Sequence, residues 1–244
     1  MRTHIEGARE RVAREREAVS EKRAAYDRFR TRIESVSPRA AIADGGDTLV
    51  SSAGRTGARP IREAFAETVA PTCEDRATME LLGAELGEEI ATALATGGVS
   101  PPLYRAIGTE VDRRRAELAA MDGALEAEAD SLRRARGVVE PVREWMIEEN
   151  ETALSAYGFE GLRERHARLG AFRADCEGLL ADRQTDLGRT TGAQGRAGVR
   201  QRDLASYLYE GLPIDHPVLV TAVRLEELCR ECQRTVRDHL VRRV

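Results

Sequence analysis

The sequence predicts an all-α protein: an elongated bundle of long heptad-patterned helices, antiparallel and coiled-coil-like, with shorter helices and two flexible connectors. Three observations predict it. Ile5, Val12, Val19, Tyr26 and Ile33 lie seven residues apart, and Tyr104, Val111, Leu118, Leu125, Leu132 and Val139 repeat the pattern, which keeps one apolar seam facing a neighbouring helix. Aromatic residues make up 4% of the 244 and charged residues 33%, a composition for narrow seams of Leu, Val, Ile and Ala rather than a thick core. No segment alternates apolar and polar residues with the period of two that a half-buried strand requires.

Residues 1–36 form a long N-terminal heptad helix, about 50 Å at ~1.5 Å per residue. With Ile5 at position a, the d row reads Ala8, Glu15, Lys22, Phe29 and Val36, apolar at its ends and charged at two central sites. Arg9, Arg16, Arg23 and Arg30 fill the e row, where long cationic side chains cover a seam and pair with a partner helix. Ser37-Pro38 ends this helix, and residues 37–60, rich in Gly, Ser, Ala and Asp, read as a flexible connector.

A helical body follows over residues 61–187. Its first short helix carries Phe65 and Val69 and closes at Pro71. Thr72-Cys73-Glu74-Asp75 has the capping-box pattern, with Thr72 as N-cap. Met79, Leu82, Leu86, Ile90 and Leu94 then share one face of a helix that stops at Gly97-Gly98. Ser100-Pro101 combines a good N-cap with a proline in the first turn and opens the second heptad helix, to about residue 137. Its d row, Ile107, Arg114, Met121, Glu128 and Ala135, is again interrupted by charge. Pro141 marks a break or kink. Val142, Trp145, Met146, Leu154 and Tyr157 form a further helical face ending at Gly158. Phe159 begins a helix to about 186, with Leu162, Leu169, Phe172, Cys176, Leu179 and Leu180 as its apolar stripe. Residues 188–199 are a Gly- and Arg-rich linker. Residues 200–244 form a C-terminal helical segment: a short helix around Leu204, Tyr207 and Leu208, a turn over 211–217, and a final helix to about 242.

Composition narrows the function classes. A net charge of -4 removes any general nucleic-acid-binding character, although residues 1–36 and 188–202 are locally basic. All but one of the 38 basic residues are arginine, the exception being Lys22. No apolar run approaches the ~18 residues needed to cross a bilayer. The N-terminus leads into charged helix without the apolar stretch of a secretory signal, so a cytoplasmic protein with reduced thiols is expected.

Three stretches carry a resemblance: residues 61–69 (IREAFAETV), 85–94 (ELGEEIATAL) and 207–219 (YLYEGLPIDHPVL). Together they resemble an uncharacterised all-helical domain-of-unknown-function family of halophilic archaea. The resemblance covers nearly the whole chain, rests on structural rather than catalytic motifs, and implies a helical fold without implying an activity.

Candidate chemistry is sparse. Cys229 and Cys232 are the one pair with metal or redox spacing, and on a helix i and i+3 share a face. Neither a second C-x-x-C nor an H-x₃₋₅-H accompanies them, and their spacing continues the apolar stripe of Leu225, Leu228, Val236 and Leu240, so they are expected to be buried thiols. Asp215-His216 sits at a turn near Tyr207 and Tyr209, where either residue is expected to cap the last helix. Glu148, Glu149 and Glu151 are expected on a solvated face. Lys22 has no glycine loop before it, which excludes a Walker A site, and no G-x-S-x-G or G-x-G-x-x-G is present. The expectation is therefore no catalytic, cofactor-binding or metal-binding residue and no small-molecule substrate.

The function expected is that of a non-enzymatic helical interaction or scaffold protein. It pairs with a protein partner or with itself through its heptad helices, with no membrane and no nucleic acid involved. Two alternatives stand beside it: a nucleic-acid-associated regulatory protein using the basic segments, and a zinc or thiol-redox sensor using Cys229 and Cys232.

Overall fold

A computed structural model describes residues 4–35, 58–96, 98–191 and 198–242. Eight α-helices occupy them: α1 Ile5–Ser35, α2 Ala58–Thr68, α3 Thr78–Leu86, α4 Glu88–Thr96, α5 Pro101–Glu149, α6 Phe159–Leu187, α7 Gln201–Tyr209 and α8 Pro217–Val241. Short 3₁₀ turns lie at Ala70–Thr72 and Leu154–Ala156, and β1 Thr190–Thr191 pairs antiparallel with β2 Val199–Arg200. Val36 and most of the 37–60 connector lie outside the described residues, as do residues 192–197 of the linker. No described helix is long and apolar enough to cross a membrane.

The chain divides into two compact units. Unit one contains residues 1–15 and 123–244, and unit two residues 16–122. Helices α1 and α5 each contribute one part to either unit.

In unit two the heptad seam closes on the second heptad helix. Tyr26, Phe29 and Ile33 of α1 are buried with Ile107 and Val111 of α5. Tyr104 Oη donates to the Ile33 carbonyl at 3.0 Å, Arg115 pairs with Asp27 at 2.6 Å, and Arg23 pairs with Asp122. As the α1 number falls the α5 number rises, so this pairing is antiparallel. Helices α2, α3 and α4 complete the core with Ile61, Phe65, Leu82, Leu86 and Leu94, and the Phe29 and Phe65 rings meet edge to face at 5.7 Å.

Three local expectations are corrected. The run 78–96 is two helices, because Gly87 turns the backbone at φ 96° and ψ 144°, a region open essentially to glycine alone. Thr72 does not cap α3: its hydroxyl donates back to the Val69 carbonyl, and the residue before α3 is Ala77, which has no capping side chain. Pro141 neither breaks nor ends α5, which continues to Glu149. Its missing N–H faces Gly137, which has no side chain and is exposed, so the unbonded carbonyl can take water. By contrast, Ser100 behaves as the sequence implies, its Oγ accepting the Leu103 N–H at 3.3 Å.

Unit one is built on α6 against α8, with the N-terminal turns of α1, the C-terminal half of α5 and α7 around them. Leu162, Leu169, Phe172, Cys176 and Leu179 of α6 are buried, as are Val218, Ala222, Leu225, Cys229 and Val236 of α8. Trp145 of α5 meets Phe172 edge-on at 5.4 Å.

Candidate functional site

The four charged residues that interrupt the d rows each find a partner inside the chain. In unit one Glu15 accepts the Tyr207 hydroxyl at 3.2 Å, and Glu128 anchors a buried polar cluster. In unit two Lys22 pairs with Glu85, and Arg114 donates Nε to the Glu85 carbonyl and Nη2 to the Ala84 carbonyl, both at 2.8 Å. Those carbonyls belong to the last turn of α3, which has no intrahelical donors for them, so Arg114 is a cap. Three of the four e-row arginines are likewise met by acids: Arg9 by Glu6, Arg23 by Asp122, and Arg30 by Glu34 and Asp112.

Glu128 is 0% exposed and its partner Arg183 2%. Arg183 donates Nη1 and Nη2 to the two carboxylate oxygens, each at 2.8 Å, and Nη1 also reaches Ser131 at 3.1 Å. Gln201 donates to the same carboxylate at 2.9 Å and to the Ala124 carbonyl, and the Tyr209 hydroxyl completes the set. Burial works to raise the Glu128 pKa, but the bonds from Arg183, Tyr209 and Gln201 hold it below the usual carboxylate range; burial and Glu128 push the Tyr209 phenol up. The cluster fixes α7 to α5 and α6 and exposes no reactive group. Arg183 and Gln201 are absent from the candidates read from the sequence, and Tyr209 is named there only beside Asp215-His216. Arg183 falls three to four residues beyond Leu179 and Leu180 in the apolar stripe of α6, and a charged residue continuing such a stripe is the signal that could have found it.

Asp215, His216, Tyr207 and Tyr209 are not brought together. Tyr209 points inward to Glu128, Tyr207 lies half-exposed against Glu15, and Asp215 is exposed. His216 occupies the N-cap position of α8 without a side-chain bond to the helix, and its Nδ1 is buried without a partner. The turn before it reverses at Gly211, φ 82°.

All four cysteines are free thiols. Cys176 and Cys229 are buried in the α6–α8 seam. Burial, with nearby acids, pushes the Cys176 thiol up to about 11; burial, with Cys176 and Cys232 nearby, pushes Cys229 up to about 12. Cys232 is half-buried. Among the described residues, no group of three or more His, Cys, Asp or Glu side chains is placed to hold a metal ion.

A groove of about 790 Å³ lies in unit one. One wall is α8, offering Leu225, Leu228, Cys232 and Val236; the opposite wall is the end of α5, with Trp145, Met146 and Ile147. Leu169 and Arg165 of α6 line it, and residues 152–154 border one side. Ile147 stands at the rim, 55% exposed. Arg165 is buried between Glu149, with which it forms an ion pair, and the Tyr157 ring, whose centroid lies 3.5 Å from the guanidinium carbon. Glu149 therefore is not a solvated acid like Glu148 and Glu151; it holds Arg165 in place at the groove. Leu154 and Tyr157 belong to the turn beyond α5 rather than to a continued helix, and that turn is what forms the groove's side.

The family model for a domain of unknown function (DUF7260) matches residues 3–233, and the chain belongs to that family. Comparison with curated proteins and with solved structures returns no match.

Proposed function

We propose that this member of the DUF7260 family is a non-enzymatic interaction protein that receives one amphipathic helix of another protein in the groove of unit one. The observation that carries it is the spacing of the groove wall. Leu228 and Cys232, four residues apart on α8, are partly exposed in that wall, with Leu225 and Val236 buried to either side of them, so α8 offers about one helical turn of apolar contact beside the 55% exposed Ile147. A helix laid beside such a face presents its own i, i+3, i+4 and i+7 anchors to it. Arg143 at the rim is paired with Glu140, and Arg165 with Glu149. Glu231, also at the rim, makes no ion pair among the described residues, so the matching helix carries a basic residue beside its apolar face. The heptad a positions Ile5, Val12, Val19, Tyr26 and Ile33 are buried in the chain itself, which favours the groove over the heptad seam as the partner surface. The setting proposed is the cytoplasm of a halophilic archaeon, supported by the resemblance of the three motifs, the single lysine and the four free thiols.

A photo-reactive phenylalanine analogue in place of Ile147, activated in host extract at native salt, tests this reading. The expected product is a cross-link to a second polypeptide that maps within an amphipathic helix and disappears when Leu228→Glu is added. A cross-link only to lipid or nucleic acid, or none, would overturn it.

A further inference from the structure

Lys22 is the single lysine among 38 basic residues, and its surroundings set it apart. Its Nζ donates to Glu85 Oε1 at 2.6 Å, and the Cys73 Sγ lies 3.6 Å from the same oxygen and 3.5 Å from the Val69 carbonyl, the two acceptors open to its thiol. Two atoms beside one oxygen can be no further apart than the sum of their distances to it, so amine and thiol are near neighbours within unit two. Every other ion pair found among the described residues uses arginine, including contacts to one carboxylate such as Arg32 with Glu67. Arginine would supply the same charge with more donors; what it cannot supply is an amine that loses its proton and acts as a nucleophile. The Lys22 side chain is 27% exposed and Cys73 half-buried, so a small oxidant has access to both.

We propose that Lys22 and Cys73 form a reversible oxidative cross-link, a sulfenamide, when the protein meets a hydroperoxide. In the first step the Cys73 sulfur attacks the peroxide. The O–O bond breaks, sulfur is oxidised by two electrons to the sulfenic acid, and the peroxide is reduced to water or an alcohol. In the second step the Lys22 ammonium gives one proton to solvent, and its lone pair forms an N–S bond to the sulfenic sulfur. The S–O bond breaks, and the hydroxyl leaves with an amine proton as water. Across both steps the protein loses two hydrogens. Two equivalents of a thiol return the free amine and thiol and leave as a disulfide. Burial and the Glu85 carboxylate hold the Cys73 thiol above its ordinary pKa, which slows the first step without changing the neighbour that waits for its product. The bond ties α1 to the segment before α3 and removes Lys22 from Glu85, which keeps the Tyr26 hydroxyl at 2.7 Å.

The test is hydrogen peroxide treatment of the full chain, followed by digestion and peptide mass mapping. The expected result is a peptide pair joined through positions 22 and 73, lighter by two hydrogens than the reduced peptides together and separated by dithiothreitol. Lys22→Arg keeps the charge at Glu85 and should abolish the cross-link, with the Cys73 sulfenic acid now trapped by dimedone. The wild-type result alone also decides: Cys73 ending as a sulfenic or sulfinic acid or in a disulfide, or staying reduced, with Lys22 free in each case, would overturn the proposal.

Discussion

Replacing Glu128 with glutamine changes little in volume and much in energy. The carboxylate is fully buried and accepts from Arg183 twice, from Gln201 and from Tyr209. An amide retains one accepting oxygen and turns two N–H donors toward groups that are themselves donors. Arg183, 2% exposed, is left as a buried cation. Breaking a buried pair from one side costs about 3–5 kcal/mol, and Glu128→Gln should fall in that range. Trp145, the only tryptophan, lies in unit one beside Phe172, so urea unfolding followed by its emission reports the unit that holds the cluster. The paired change Glu128→Leu/Arg183→Met removes both charges and should recover part of the loss: apolar replacements of a buried pair are often near neutral, but the buried Tyr209 hydroxyl and Gln201 amide lose the carboxylate as acceptor. A Glu128→Gln loss below about 1 kcal/mol, or a double variant no more stable than the single one, would refute the assignment of this cluster as the clamp on α7.

The same carboxylates set a pH dependence. Glu128 and Glu85 are both held below the usual range in the folded chain, so their contribution is full above the unfolded value of about 4.3 and is lost as the pH falls through the native values. Urea titrations at decreasing pH should show that decline, with a shallower slope in Glu128→Gln; an identical slope would contradict the linkage. Gly87→Ala forces a side chain to adopt φ 96° and should cost about 1–3 kcal/mol by urea denaturation of unit two; a neutral effect would mean that α3 and α4 are not separated by this backbone turn. In native protein at pH 7 a maleimide should label Cys232 well before Cys176 and Cys229, whose thiols are buried and raised to about 11 and 12; equal labelling of all three would show that the α6–α8 seam opens.

The helices were legible because apolar spacing at seven, three and four residues is local information. Ser100-Pro101 was read correctly for the same reason, since an N-cap and a first-turn proline act within four residues. What the sequence could not supply was the partner of each interrupting charge. Glu15, Lys22, Arg114 and Glu128 looked like marks of a seam selective for another molecule, yet Tyr207 lies 192 residues from Glu15 and Arg183 lies 55 from Glu128. A charge at d states that a partner exists and says nothing of where along the chain it is. Gly87 was passed over because the apolar face runs unbroken through it, and only the backbone turn separates the two helices. The groove was the least legible feature. Its wall on α8 follows from spacing, but its depth depends on α5 continuing through Pro141 to carry Ile147 and on Glu149 holding Arg165.

Trp145 lines the groove, so the binding claim can be read from the chain's own fluorescence. A designed amphipathic helix of about 14 residues, with leucines at i, i+3, i+4 and i+7 and a lysine at the edge of that face, is titrated against the full chain, beside a peptide of the same composition in scrambled order. The account predicts a saturable change in Trp145 emission with the ordered peptide, weakened at least tenfold, or about 1.4 kcal/mol, by Leu228→Glu. No saturable change, or equal binding of the scrambled peptide, would contradict it.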